Sequence, residues 1–174
     1  AGPAIEDAPP TFISGWDLAR KRTATVGITI QVSKKQARIV ALERFRQFDW
    51  VTVVEKIKAR QQDYPGKLLI DATGLGDVVA EQLAEYKPQS VIFTPGTKSE
   101  LLTNVELIHA RDEISYDRWQ LPDGPGRIWS LEDELRGARW DHNSDCDALM
   151  ALALALWPLY KRDRSMVGPR VGKA

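Results

Sequence analysis

The first part of the chain alternates apolar residues with small or polar ones in three consecutive segments. The alternation is clearest in residues 26–32, where every second side chain is apolar, the period of a strand with one covered face. Segments 12–18 and 37–45 have the same character, and a polar turn at Lys34 and Lys35 precedes the last of them. The whole stretch is therefore predicted to form an antiparallel meander of three strands.

Beyond Asp49 the pattern changes to helices that alternate with short buried strands. Val51, Val54 and Ile57 recur at helical spacing and predict a first helix that ends before Tyr64. Two short, continuously apolar runs are typical of strands covered on both faces of a parallel sheet, Leu68 to Ile70 and Val91 to Phe93.

Further helices are predicted around residues 79–86, after a capping box at Thr97 and Glu100, after Ser130 or Asp133, and from Ser144 or Asp145 to Pro158. The segment 120–127, rich in proline and glycine, is predicted to be a loop. A meander followed by strand–helix alternation predicts an α/β fold, a mixed sheet of antiparallel and parallel strands with helices on both faces.

Composition adds limits to this picture. The chain has 174 residues, and we expect one folded domain at 12–160 between a linker at 1–11 and a basic, flexible tail at 161–174. Its formal net charge is zero, which counts mildly against a dedicated DNA-binding module. The single cysteine, Cys146, excludes an internal disulfide framework. No apolar stretch is long enough for a membrane span, and no phosphate-binding loop of the ATPase type is present.

Three acidic residues stand where the predicted elements begin or end. Asp17 closes the first strand, Asp71 closes the first buried parallel strand, and Asp147 lies in the first turn of the apolar last helix. If the first and fourth strands are adjacent, Asp17 and Asp71 project side by side, and a helix across that edge brings Asp147 to them. Each residue alone could instead form a turn or cap a helix.

Three converging carboxylates repel one another unless a divalent cation lies among them. Mg²⁺ or Mn²⁺ suits oxygen ligands of this kind. Two ions about 4 Å apart can activate a water molecule and stabilise the leaving oxygen of a phosphodiester. Two histidines and one cysteine offer no competing zinc cluster.

Basic residues near the first acidic motif are candidates for DNA contacts, because phosphate is bound mainly by Arg and Lys. Arg20, Lys21 and Arg22 follow Asp17 directly and could hold the DNA backbone or form a solvated hairpin corner. Lys34 and Lys35 lie at the far hairpin tip, where solvation is the default but DNA contact is also open.

Several motifs, in their order and spacing, resemble the nuclease domains of viral terminase large subunits. Gly15-Trp16-Asp17-Leu18-Ala19 is similar to the opening of those domains, and Leu69-Ile70-Asp71 with the following Gly74-Leu75-Gly76-Asp77 is similar to their second motif. Leu121-Pro122 with Glu134-Leu135 resembles a late strand and short helix. The run from His142 to Leu149 resembles the closing motif. The resemblance covers residues 12–157.

The resemblance implies a ribonuclease H-like fold, two divalent metal ions per site, and cutting of concatemeric double-stranded viral DNA during genome packaging. It implies a separate ATPase motor domain in the full-length chain, a small terminase subunit and a portal ring as partners, and the host cytoplasm as location. Residues 1–11 would then be the remnant of the linker to the motor.

The closing motif departs from the family pattern in one respect. The family often has two adjacent acidic residues there, whereas Cys146 separates Asp145 from Asp147. Counting back from the Ala/Leu helix favours Asp147 as the metal ligand, with Asp145 as a further candidate and Asp141 behind it. By the same resemblance, His142 is expected to support the loop and Asp77 to cap a helix.

Two other functions fit the same residues. A Holliday-junction resolvase of the same fold also closes with an Asp-Ala-Leu helix but acts on branched DNA. A non-catalytic docking module could use the acidic cluster to bind a basic partner. A comparison of cutting on linear and on four-way DNA distinguishes the resolvase from the terminase nuclease. A folded domain that cuts no DNA in Mn²⁺ would favour the docking module.

Overall fold

In a computed structural model, residues 9–18, 24–46, 49–71, 73, 76–138 and 146–166 are described, with backbone alone at 76–77 and 160–166. The first three strands form an antiparallel meander: β1 (Thr11–Asp17), β2 (Thr25–Ser33) and β3 (Gln36–Phe45). The remaining sheet strands run parallel to their neighbours: β4 (Gly66–Asp71) beside β1, β5 (Gln89–Val91) beside β4, and β6 (Ile114–Ser115) beside β3. The sheet order is β5-β4-β1-β2-β3-β6, which confirms the predicted mixed sheet.

In the described part of the chain, five α-helices accompany the sheet: α1 (Trp50–Asp63), α2 (Gly76–Gln82), α3 (Pro95–Ala110), α4 (Leu131–Gly137) and α5 (Asp147–Met166). A short 3-10 turn, Ala84–Tyr86, follows α2. Asp49 caps α1 by accepting hydrogen bonds from the backbone N–H groups of Val51 and Thr52, which satisfies two donors at the start of the helix. None of the described helices combines the length and apolarity that crossing a membrane requires.

The sheet separates two hydrophobic cores, as the prediction of helices on both faces requires. On one face, Trp16, Ile70 and neighbouring residues pack against α1 and the α2 region. On the other face, Ile13, Leu69 and the β2 residues pack against α3 and α5. Successive residues of a strand therefore face opposite sides of the sheet, one towards each core.

Helix α5 approaches β1 closely at Gly15. A Cβ atom on this glycine would lie 2.5 Å from the backbone nitrogen of Ala155 and would also collide with the carbonyl oxygen of Ala151. Only a residue without a side chain allows the helix backbone this close. Gly15 thus fixes the position of α5 across the sheet.

Three predicted boundaries near the middle of the chain were wrong. Helix α3 begins at Pro95 with Thr94 as its N-cap, and Thr97 completes the capping box in place of Glu100. Strand β5 ends at Val91, and Ile92 is 62% exposed, because the chain leaves the sheet to reach this cap. The segment 120–127, whose composition predicted a loop, contains β7 (Gln120–Pro122), which pairs with β8 (Ile128–Ser130) in a separate two-stranded hairpin. This strand agrees with the late strand that the family resemblance implied at Leu121-Pro122.

The predicted end of the last helix was also wrong, since α5 continues through Pro158 to Met166. Proline removes one helical hydrogen bond, but the preceding residues 148–157 are all buried against the sheet and α3. The Asn104 side chain adds a hydrogen bond of 3.1 Å to the carbonyl oxygen of Leu156. The proposed caps Ser144 and Asp145 lie outside the described residues.

Candidate metal centre

Asp17 and Asp71 occupy equivalent ends of adjacent parallel strands. Trp16 pairs with Ile70 in the β1–β4 ladder, so the two aspartates are the next residues in the same register. Adjacent strands are separated by about 4.8 Å. The condition that the sequence analysis set, adjacent first and fourth strands, is therefore met, and the two aspartates end neighbouring strands.

Both aspartates face α5. Side chains two positions apart share a sheet face, so Asp17 lies on the face of Gly15, which the α5 backbone covers. Asp71 lies on the face of Leu69, a member of the core on the α5 side. Asp71 is 7% exposed, and Asp17 is half-buried at the strand end.

Asp147 reaches the same edge from the first residue of α5. Its Oδ2 accepts a hydrogen bond of 3.1 Å from the backbone N–H of Ala24, which directly precedes β2. Because Asp17 pairs with Val26 in the β1–β2 ladder, Ala24 lies just beyond the Asp17 end of the sheet. The helix therefore brings Asp147 towards the edge of the sheet where Asp17 and Asp71 lie.

The pKa of Asp17 is affected by the negative charges of the two other aspartates. Its pKa is raised well above the ordinary value, first by burial and then by the negative charges of Asp147 and Asp71. Lys98 opposes the shift and Glu134 adds to it. Crowded carboxylates of this kind are stabilised by a cation placed among them.

Asp71 is held in place by the turn that follows it. Its Oδ1 accepts a hydrogen bond of 2.8 Å from the backbone N–H of Thr73. The Thr73 hydroxyl in turn accepts one of 2.9 Å from the backbone N–H of Phe93, just after β5. One carboxylate oxygen is thus committed to the backbone, which orients the side chain.

The described residues do not contain a complete metal-ligand set. Among them, no group of three or more His, Cys, Asp or Glu side chains is close enough to hold an ion. The three aspartates converge on one edge of the sheet without closing on a common point. Asp145, Asp141 and His142, which the sequence placed near the third ligand, lie outside the described residues, as does the side chain of Asp77.

A cleft of about 350 Å³ opens beside Asp147. Trp129 and Glu134 line one wall, and Arg44 and Arg46 line another. Arg44 is bound to Asp123 at 2.7 Å and stacks over the Trp129 ring, whereas Arg46 is 62% exposed. The register places Arg44 on the same row and face as Asp17, because both are opposite Val26.

Sequence reasoning missed Arg44, Arg46 and Glu134 as parts of this region. The alternation within β3 could have placed Arg44 on the α5 face, but nothing local indicates that the β7–β8 hairpin lies beside it. Glu134 was recognised only as part of a late motif. Its contacts with α5 join residues more than ten positions apart, and no periodic pattern in the sequence indicates such a contact.

The predicted DNA-binding lysines lie far from the acidic edge. Lys34 and Lys35 form the exposed β2–β3 turn, beside the pair Ser33 and Gln36. Asp17 pairs with Val26, seven residues away along β2, which corresponds to roughly 20 Å. A role of these lysines in DNA binding stays a prediction, and Arg20, Lys21 and Arg22 lie outside the described residues.

The fold is similar to solved nuclease domains of large terminases. The zinc-bound large terminase nuclease of thermophilic phage G20c is 25% identical, with a TM-score of 0.66 over 87% of this chain and 84% of that one. The human cytomegalovirus terminase nuclease domain is 12% identical, with a TM-score of 0.64 over 89% and 86%. No protein-family model and no curated protein sequence matches the chain.

The likeness also extends to part of a larger protein. The large terminase of the thermophilic bacteriophage D6E is 10% identical, with a TM-score of 0.62, and the match covers 88% of this chain but 41% of that one. The G20c nuclease has been solved with magnesium as well, at 20% identity and a TM-score of 0.63. The ribonuclease H-like fold expected from the sequence is confirmed.

Proposed function

We propose that this chain, which has the fold of the nuclease domains of large terminases, is itself a divalent-metal-dependent endonuclease. Its substrate would be concatemeric double-stranded viral DNA, cut during genome packaging. The observation that carries the proposal is the shared edge of the sheet, where Asp17 and Asp71 end adjacent parallel strands and α5 brings Asp147 to them.

The residues fit a hard divalent cation. Carboxylate oxygens are the ligands that Mg²⁺ and Mn²⁺ prefer, and Asp17 is crowded by the negative charges of Asp147 and Asp71. These three aspartates would hold the metal, with Asp145 as a further candidate ligand. A pair of ions, when bound, supplies an activated water molecule and stabilises the leaving oxygen of the phosphodiester.

The protein contributes orientation and charge. The Thr73 N–H orients the carboxylate of Asp71, and the Ala24 N–H orients the carboxylate of Asp147. In the adjoining cleft, Arg46 is 62% exposed and makes only a long contact of 3.9 Å with Asp123, so it is suited to a DNA phosphate. Arg44, held by Asp123 and the Trp129 ring, shapes the wall of the cleft beside it.

The cutting domain would work within a larger packaging protein. The match to 41% of the D6E large terminase supports this. An ATPase motor domain in the same full-length chain, a small terminase subunit and a portal ring follow from the family resemblance, and the host cytoplasm would be the place of action.

A cleavage assay tests the proposed activity. The purified chain is incubated with linear double-stranded DNA in Mn²⁺, in Mg²⁺ and in EDTA. We expect cutting with either metal, none in EDTA, and a loss of at least about 100-fold in Asp71→Asn, because removal of a direct ligand should exceed the 10- to 100-fold typical of its supporting residues.

Asp117→Asn is the matched control, because Asp117 is exposed and paired with Arg38 near the opposite end of the sheet. Its cutting rate should equal that of the original chain. Normal cutting by Asp71→Asn would overturn the site. Preferred cutting of a four-way junction would favour a resolvase, and a folded, metal-loaded chain that cuts neither substrate would favour a docking module.

A further inference from the structure

Glu134, in the short helix α4, makes three hydrogen bonds to two other elements. Its Oε1 accepts from the backbone N–H groups of Ala148 and Leu149, at 2.8 and 3.2 Å. Its Oε2 accepts from the Trp129 indole N–H at 2.7 Å. Both carboxylate oxygens are therefore occupied by donors of the protein itself.

The two backbone donors belong to the first turn of α5, directly after Asp147. The N–H groups in a first turn have no partner within the helix, and a carboxylate that accepts from them makes strong, charge-assisted hydrogen bonds. Glu134 thus fixes the start of α5 from outside the helix. Asp147 lies between this attachment and its own hydrogen bond to Ala24.

Trp129 holds Glu134 on its other side. Its indole ring packs under the Arg44 guanidinium, at 5.3 Å from the ring centroid, and Arg44 is bound to Asp123. The Glu134 side chain is consequently held between β8 and α5. With its oxygens committed to donors, it is suited to orient a neighbouring carboxylate and is poorly suited to bind metal directly.

We propose that Glu134 is a positioning residue of the metal centre, which holds the first turn of α5 so that Asp147 faces Asp17 and Asp71. This inference rests on the proposed metal-dependent function. Carboxylates that orient metal ligands typically contribute 10- to 100-fold in metal affinity.

Four variants separate positioning from charge. Glu134→Ala removes all three hydrogen bonds. Glu134→Gln combined with Trp129→Phe keeps an oxygen for the two α5 donors and removes the indole N–H, which would meet the new amide. Trp129→Phe alone is the background control. Glu132→Gln is the matched charge control, because Glu132 lies in the same helix and pairs with exposed Arg136.

The first measurement is the amide spectrum of the metal-free protein in EDTA. The Ala24 N–H donates to Asp147 and so reports where that carboxylate lies. We expect the Ala24 signal to shift in Glu134→Ala, and to stay in place in Glu132→Gln and in the Gln/Phe double variant. An unmoved Ala24 signal in a folded Glu134→Ala variant would overturn the inference.

The second measurement is the Mn²⁺ dissociation constant by calorimetry. We expect it to rise at least about tenfold in Glu134→Ala, with most of the affinity restored in the double variant relative to Trp129→Phe. Equal losses in both Glu134 variants would assign Glu134 to charge or direct ligation instead. If the original chain binds no Mn²⁺, the proposed function fails, while the Ala24 signal still decides the positioning role.

Discussion

Asp17 combines a half-buried position at the strand end with two like charges across the edge of the sheet. Its raised pKa means that the metal-free folded protein binds a proton there more tightly than the unfolded chain does. The stabilising effect of this proton is fully present below the ordinary value of 3.8 and is lost as pH rises through the higher folded-state pKa. Ionisation of Asp17 therefore destabilises the metal-free fold.

We predict that Asp17→Asn raises the melting temperature of the chain in EDTA at pH 8, and that the difference shrinks towards zero as pH falls below about 4. Thermal unfolding followed by circular dichroism across this range measures it. Asp49→Asn is the control of opposite sign. The hydrogen bond from the Thr52 hydroxyl lowers the pKa of Asp49. Asp49→Asn should therefore melt at a lower temperature than the original chain at pH 8, and at the same temperature in acid. A lower melting temperature for Asp17→Asn at pH 8 would contradict the electrostatic account.

Residues differ in how far the sequence reveals them. The neighbouring positions of Asp17 and Asp71 could be inferred because each residue ends a strand whose apolar pattern is local, and because parallel strands bring their carboxyl ends to one edge. Glu134 could not be assigned a role in this way. Its significance comes from the packing of α4 on the start of α5, and no spacing along the chain encodes that contact.

At the scale of elements, the contact between α5 and β1 determines where Asp147 lies. Gly15 allows this contact, since a methyl group there would collide with the backbone of Ala151 and Ala155. We predict that Gly15→Ala destabilises the chain by about 1–3 kcal/mol, as overpacking of a core does. It should also weaken Mn²⁺ binding, because the helix that carries Asp147 is displaced. Urea unfolding and calorimetry measure the two effects.

Gly96→Ala is the matched control for this prediction. Gly96 lies in the first turn of α3, and the nearest atom to an added Cβ is the Thr94 hydroxyl at 3.9 Å. Alanine there should leave Mn²⁺ binding unchanged and preserve or slightly increase stability, since alanine is the better helix former. Equal behaviour of the two variants would show that the close approach of α5 is unimportant.

The elements that the sequence predicted well are those with a strong local period, namely the meander, α1 and the Ala/Leu helix. The β7–β8 hairpin was missed because the proline and glycine residues between its short strands have the composition of a loop. Each strand has only three residues, too few to show an alternating pattern of apolar and polar side chains. The continuation of α5 past Pro158 was missed for a related reason. Tertiary burial of the preceding helix outweighs the hydrogen bond that proline removes.

At the scale of the whole molecule, the acidic edge is the place where both halves of the fold meet. The meander supplies Asp17, the parallel strands supply Asp71, and the last helix supplies Asp147. A cation held by all three would connect segments more than 50 residues apart in the chain. Because the unfolded chain separates these carboxylates, such a cation binds the folded state preferentially and stabilises it.

We predict that Mn²⁺ at about 100 times its dissociation constant stabilises the chain by about 2.7 kcal/mol. For a domain of this size, that corresponds to a rise of roughly 5–10 °C in melting temperature. Differential scanning calorimetry with increasing Mn²⁺, reversed by EDTA, measures the effect. Asp71→Asn should lose most of the rise while Asp117→Asn keeps it. A rise of equal size in Asp71→Asn would place the bound ions elsewhere, whereas its selective loss would link the metal to the edge where β1, β4 and α5 converge.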